Sequence, residues 1–226
     1  MGKTTTRRIS TNVKYGLAIH TTSSELGLAV SNFAENLWGR FPSTEFFKRE
    51  GDSRSQVWDL GRSLSTHLHY HLAEYIQPQT WADLGFIAVA KGPGSFTSTR
   101  VGVVTARTLA QQLDIPLFAI SSLEVLAWAE KGGDNAIAVQ MPAQTNLVYT
   151  AIYSGATALL SDSLMTMEVW EKTLENWQTP YQLIKGENGI GATVTSVLEI
   201  AYLAWQKGDR PNWIDAIPFY GQSPVS

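Results

Sequence analysis

The sequence predicts an α/β protein with a mixed sheet, and three observations carry that prediction. Tyr15-Gly16-Leu17-Ala18-Ile19-His20 and Leu26 to Ser31 are short apolar runs around the polar turn Thr21 to Glu25, the pattern of a buried β-hairpin. Val57, Leu60, Leu64, Leu68, Leu72 and Ile76 recur at three- and four-residue steps, which predicts a long helix from Arg54 to Ile76, with Pro78 just beyond its end. Phe86 to Ala90 then runs into the turn Lys91-Gly92-Pro93-Gly94. That turn opens an amphipathic stretch, Thr97 to Leu113, with Val101, Val104, Thr108 and Leu109 on one side. Strands that alternate with helices in this order require a sheet with parallel neighbours.

The remaining elements follow in chain order. A third strand is expected within Leu37 to Arg49, its limits blurred by Pro42, and Gly51-Asp52-Ser53 closes the hairpin region. Ile115 to Ile120 reads as a strand entered through Pro116. Ser121 caps a helix running to about Lys131, with Glu124 at the capping-box position. Gly132-Gly133-Asp134-Asn135 marks a boundary. The chain then divides into a flexible start (1–14), an N-terminal α/β subdomain (15–131) and a C-terminal α/β subdomain (132–226). In the last of these, Ala136 to Met141 and Leu147 to Tyr153 form a hairpin, and a further strand lies near Leu159 to Met167. A helix over Glu168 to Trp177, a strand over Tyr181 to Lys185 and a helix over Ala192 to Gln206 complete it. Both halves begin with a strand hairpin.

Composition narrows the function. Seventeen basic and twenty acidic side chains leave a net charge of −3, which argues against a protein that grips nucleic acid through its own phosphate contacts. The absence of cysteine excludes disulfides and thiolate metal sites and fits a reducing cytoplasm. Lys3, Arg7, Arg8 and Lys14 precede no apolar run, so a secretory signal is not expected. The uncharged stretch Asn135 to Ser161 is broken by Gln140, Pro142, Gln144, Asn146 and Gly155 and reads as two buried strands, not a membrane span. The eight tryptophans are scattered without interleaved basic residues, the pattern of packing rather than base stacking.

The turn at Gly92 is the main candidate site. Its glycines allow positive φ and close backbone approach, and the helix N-terminus behind it suits either an anion or a tightly packed partner. Lys91 is not a phosphate-loop lysine, because the GxxxxGK[ST] spacing is absent. Thr21, Thr22 and Ser23 offer hydroxyls, yet neutral hydroxyls alone hold Mg²⁺ poorly. The balance favours a structural turn, with Thr21, Thr22, Ser23 and Gly94 as a vestigial nucleotide turn. His67 and His71 lie one helical turn apart and could share a metal, but Leu68 stands where a zinc-protease glutamate belongs. A solvated helix face is the expectation there. No GxSxG elbow occurs.

Gly92-Pro93-Gly94-Ser95-Phe96-Thr97, with Arg100 and Gly102 behind it, resembles the GPGSFTGLRIG signature of the TsaB (YeaZ-like) family. Gly16 to Ser23 resembles that family's ILAIDTS-like opening. Ser121-Ser122-Leu123 after Pro116 is similar to its "P…GVSSL" segment, and Leu147-Val148-Tyr149 to its "DARRGEVY" strand. The likeness runs from about Tyr15 to Tyr153 and returns at Pro218-Phe219-Tyr220. Ser98-Thr99 departs from the family's Gly-Leu.

The resemblance implies an actin/Hsp70/sugar-kinase-like fold of two α/β halves, the second reduced. It also implies a non-catalytic scaffold in synthesis of threonylcarbamoyladenosine (t6A) in tRNA, paired with a TsaD-like enzyme. The places of that enzyme's metal-binding HxxxH fall here at Ser122 and Leu126. The acid that positions Mg²⁺ at the first phosphate turn is replaced by His20, and the second by Pro142, with Gln144 where the family often has Arg. No cofactor of its own is then expected, ATP/ADP and metal residing on the partner. A TsaE-like ATPase joins the complex, tRNA is reached only through it, no membrane is involved, and the chain alone forms a homodimer. Leu64 and Leu68 on the first helix and Ser95, Phe96, Thr97, Arg100, Val101 and Thr105 on the second are the expected partner-binding residues. Arg100 reads equally as an interface anchor or a plain helix-surface charge. The alternative is an autonomous ATPase or small-molecule kinase of the same fold, which would need acids from elsewhere, such as Glu25 or Asp134.

Overall fold

The computed structural model describes residues 14–33, 53–130, 135–144, 146–187 and 189–219. Tyr15–His20 (β1), buried on both faces, is the strand from which the first sheet grows. It pairs antiparallel with Glu25–Ser31 (β2) and parallel with Leu84–Ala90 (β4). Ser53–Asp59 (β3) joins β2 antiparallel, and Leu117–Ile120 (β5) joins β4 parallel, giving the order β3-β2-β1-β4-β5.

The expected helix from Arg54 is shorter than its stripe. Arg54 to Asp59 belongs to β3, where Arg54 faces Val30 and Trp58 faces Leu26. The helix, Leu64–Tyr75 (α1), begins only after Gly61 at φ +50 and a single 3₁₀ turn. β3 lies at a sheet edge among the described residues and has no buried residue, so it lacks a buried strand's apolar run, and the Val57-to-Leu60 step imitates a helical one. Arg54 then ties strand to helix: its guanidinium donates to Tyr75 O at 2.5 Å and Gln79 Oε1 at 2.7 Å, and Tyr75 Oη donates back to Arg54 O at 2.6 Å. The strand expected within Leu37 to Arg49, the leading residues and Gly132 to Asp134 lie outside the described residues.

One face of this sheet, with Leu17, Ile19, Leu28 and Val30, carries α1 and Phe96–Leu113 (α2). The opposite face is lined by Ala18, Ala29 and Ala88, small enough to seat Val194–Gln206 (α5) closely. Gly27 serves the same approach, since a Cβ there would sit 2.2 Å from Gly191 O. Burial of Val194, Val197, Leu198 and Ile200 stabilises this contact by about 1.5–3 kcal/mol for each fully covered side chain.

The second sheet contains Ala136–Pro142 (β6), Leu147–Ser154 (β7), Thr157–Thr166 (β8) and Tyr181–Lys185 (β9) in the order β8-β7-β6-β9. Met167–Glu175 (α4) covers its outer face around Trp170, whose Nε1 donates to Gln140 Oε1 at 3.1 Å. Ser122–Ala129 (α3) joins the sheets: Leu123, Leu126 and Ala127 pack on the second, and Val125 and Trp128 on the first. β6 to β9 repeat the pairing of β1 to β4, without a counterpart of β5 among the described residues. This is an arrangement of two α/β halves with a reduced second half. Among the described residues no helix is long and apolar enough to cross a membrane.

Candidate functional site

The signature turn is held from three sides. Lys91 N donates to Ile120 O and Ser122 N to Gly92 O, both at 2.8 Å, which fixes the turn to the start of α3. Phe219 N donates to Lys91 O at 2.7 Å. Gly92 has φ +101, and a Cβ on it would lie 2.6 Å from Phe219 O, so both conformation and space demand glycine. On the third side the turn meets the β1–β2 loop. Ser95 N donates to Thr22 O at 2.8 Å, and a Cβ on Gly94 would sit 2.2 Å from that same oxygen. Nearly two turns into α2, a Cβ on Gly102 would come within 2.0 Å of Thr21 Oγ1.

These contacts engage the hydroxyls of the vestigial turn. Thr21 Oγ1 donates to Ser98 O at 2.9 Å, Thr22 Oγ1 accepts from Ser122 Oγ at 3.1 Å, and Ser23 Oγ accepts from Glu25 N at 3.2 Å. His20, where an acid would position Mg²⁺, is fully buried, and neither ring nitrogen finds a partner. Burial pushes it down to about 4, so it stays neutral at physiological pH. At the places of the TsaD-like histidines, Ser122 is the buried donor to Thr22 and Leu126 packs in the core with the second sheet.

Two concavities lie on either side of the α2 N-terminal half. Between the sheets is an open cleft of about 1170 Å³, walled by Thr22, Ser23, Gly94 and Ser95 to Ser98 on one side and by Pro142, Gln144, Tyr149 and Glu187 on the other. Arg62 and Glu187 are its charged lining residues, so the cleft brings one carboxylate and no acid pair. Outside the cleft lining, Tyr153 Oη donates to Asp162 Oδ1 at 2.7 Å. Burial pushes the nearby Glu124 up to about 7, with Asp162 adding to the shift and Lys91 opposing it.

On the outer side, α1 and α2 enclose a groove of about 610 Å³. Leu72, Trp81, Val101, Val104 and Leu109 supply its apolar lining, with Ser65, His69, Arg100, Thr105 and Thr108 between them. His69 Nε2 lies 3.3 Å from Thr105 Oγ1, bridging the two helices.

The residues expected to bind a partner therefore divide. Arg100, Val101 and Thr105 line the groove, whereas Ser95, Phe96 and Thr97 line the cleft. Leu64 and Leu68 are 1% and 0% exposed and pack in the first core, so they fasten α1 to the sheet and neither lines the groove. Of the vestigial turn, Thr22, Ser23 and Gly94 reach the cleft and Thr21 is buried behind it. Trp81, His69 and Val104 were missed as groove residues. Val104 was legible: Gly102, Val103, Ala106 and Ala110 form the inward face of α2, so the stripe Val101, Val104 and Thr108 is a second one that faces out. His67 and His71 lie side by side with ring centroids 6.5 Å apart, but His67 Nδ1 lies 3.1 Å from Ser63 O, His71 leans on Trp58, and no third metal-ligating side chain joins them among the described residues.

A family model described as "TsaD: tRNA N6-adenosine threonylcarbamoyltransferase" matches residues 76–174. The chain is 30% identical over 155 residues to "tRNA threonylcarbamoyladenosine biosynthesis protein TsaB" of Buchnera aphidicola subsp. Schizaphis graminum, covering 62% of this chain and 68% of that one. The chain belongs to the TsaB family. The protein of that name from Bacillus subtilis is 41% identical over 102 residues, and the match spans 43% of this chain and 44% of the Bacillus length. The solved structure "YeaZ from Pseudomonas aeruginosa" superposes with a TM-score of 0.66 at 19% identity, over 92% of this chain and 99% of that one, which shows a shared fold. The stretch matched by the TsaD model contains the signature turn, α2 and α3, whereas the β1–β2 loop and α1 precede it.

Proposed function

We propose that this chain is a non-catalytic subunit in tRNA t6A biosynthesis, pairing with a TsaD-like enzyme through the outer face of α1 and α2. The observation that carries the reading is the apolar groove between these helices, whose rim residue Val104 is 52% exposed. The internal use of the Thr21 hydroxyl and the neutral, buried His20 where a Mg²⁺-positioning acid is expected support it further. ATP/ADP and metal then belong to the partner, a TsaE-like ATPase joins the pair, and tRNA is reached through the assembly in the cytoplasm. Without the enzyme, two copies pair through the same face. The test is a mass measurement of the chain mixed with the TsaD-like protein of its host: a one-to-one complex, weakened in Val104→Asp, is expected.

The inter-sheet cleft favours one rival, an autonomous ATPase or small-molecule kinase, because the α2 N-terminus and Arg62 face into it. ATP turnover by the purified chain alone, abolished by Thr22 or Ser95 replacement, would overturn the scaffold reading.

A further inference from the structure

The charge on the outer face of α1 and α2 is one-sided. α2 contains Arg100 and Arg107 and no acidic residue. α1 contains three histidines and a single acid, Glu74. At 3.6 residues per turn Glu74 lies on the far side of α1 from Ser65 and His69, the residues that line the groove. There it acts on Tyr70, whose hydroxyl it holds above its ordinary value by a hydrogen bond. The groove lining thus contains Arg100 and no carboxylate, in a chain whose net charge is −3. Arg100 is exposed and forms no hydrogen bond or ion pair among the described residues.

We infer that this groove is built for a partner helix that brings a carboxylate against Arg100 beside its apolar contacts, and that it thereby selects an unlike partner over a second copy of this chain. The inference rests on the proposed use of the α1–α2 face and names what that face recognises. A two-fold pair of identical chains sets the same patch against itself. Each Arg100 would then be drawn towards a groove lined by another Arg100 and by no acid. A buried guanidinium without a carboxylate is costly, and like charges across an interface act against the wrong pairing. An unlike helix with an Asp or Glu among apolar residues removes both penalties. The guanidinium supplies the planar, two-pronged donor that fits a carboxylate, which a lysine would not match. The two-copy pair of the preceding subsection is on this reading the weaker state, populated when the unlike partner is absent.

The experiment uses the full chain and the TsaD-like enzyme of the same host, with affinities measured at 50 and 300 mM NaCl and self-association followed by sedimentation. Arg100→Glu and Val104→Asp are first shown to unfold at wild-type denaturant concentrations. Arg100→Glu is expected to weaken the unlike pair at least tenfold at low salt and to turn its salt dependence around, so that affinity no longer falls as NaCl rises. A mixture of Arg100→Glu with wild-type chain is expected to dimerise more tightly than wild type alone. If Val104→Asp weakens the unlike pair while Arg100→Glu binds as wild type does, the carboxylate inference is overturned and the proposed pairing face survives. If neither variant changes the affinity, the pairing face itself is wrong. Self-association of the wild type as tight as the unlike pair at low salt overturns the selection.

Discussion

The inter-sheet cleft and the α1–α2 groove share one helix and differ in what their side chains are free to do. The cleft is the larger, about 1170 Å³ against about 610 Å³, yet the Thr21 hydroxyl behind it donates to Ser98 O, and Thr22 Oγ1 and Ser23 Oγ already accept from Ser122 Oγ and Glu25 N. The groove is smaller, but Val104 is half exposed on its rim and Arg100 has no partner among the described residues. Size finds hollows. Uncommitted chemistry shows which hollow has something left to bind with.

The comparison can be broken first at its shared helix. Gly102→Val forces a side chain into Thr21 at the back of the cleft, and overpacking of this kind costs about 3 kcal/mol or more. Urea unfolding checks it, and Thr21→Ala in the same chain should recover part of the loss. A similar or smaller effect comes from pH. As pH falls from 6.5 to about 4, the unfolded chain protonates His20 and the folded one does not, so stability drops by about 3 kcal/mol. Glu124 works in the opposite direction: between 4.5 and about 7 the folded state keeps a proton that the unfolded state has released, so stability falls as pH rises, by a comparable amount of about 3 kcal/mol. Wild type should therefore show little net slope from these two groups between pH 4.5 and 6.5. Glu124→Gln should uncover the His20 slope, and denaturation midpoints across pH 4 to 8 that stay parallel to wild type would refute this pairing.

Smaller effects separate the two hollows directly. Val104→Asp should reduce affinity for the TsaD-like protein by about 2 kcal/mol, roughly thirtyfold, while shifting stability by no more than about 0.5 kcal/mol at so exposed a site. Thr22→Ala should do the reverse: loss of the Ser122 contact costs about 1 kcal/mol of stability, and groove affinity stays unchanged by titration calorimetry.

Much of the fold was legible because the central strands are covered on both faces. β1 was read residue for residue as Tyr15 to His20, and α2 within one residue, its start announced by the glycine turn. Ser121 was readable as a cap, and its Oγ accepts from Leu123 N and Glu124 N. β3 was misread as helix because an edge strand has no strict apolar alternation to give it away. The site was half legible. The glycines declared close approach without naming what approaches, and Thr21 and Thr22 are distant in the chain. The groove needed Trp81, from the short turn before β4, to meet α1 and α2, and no local pattern encodes that meeting.

The seating of α5 and Phe219 has a consequence for how the protein is made. Ala18, Ala29, Phe86 and Ala88 are synthesised early, but the helix that covers them follows residue 193 and the segment that seals Gly92 follows it again. On the ribosome, then, one side of the first sheet stays bare and sticky while most of the chain emerges, a window in which a nascent-chain chaperone would find its binding site.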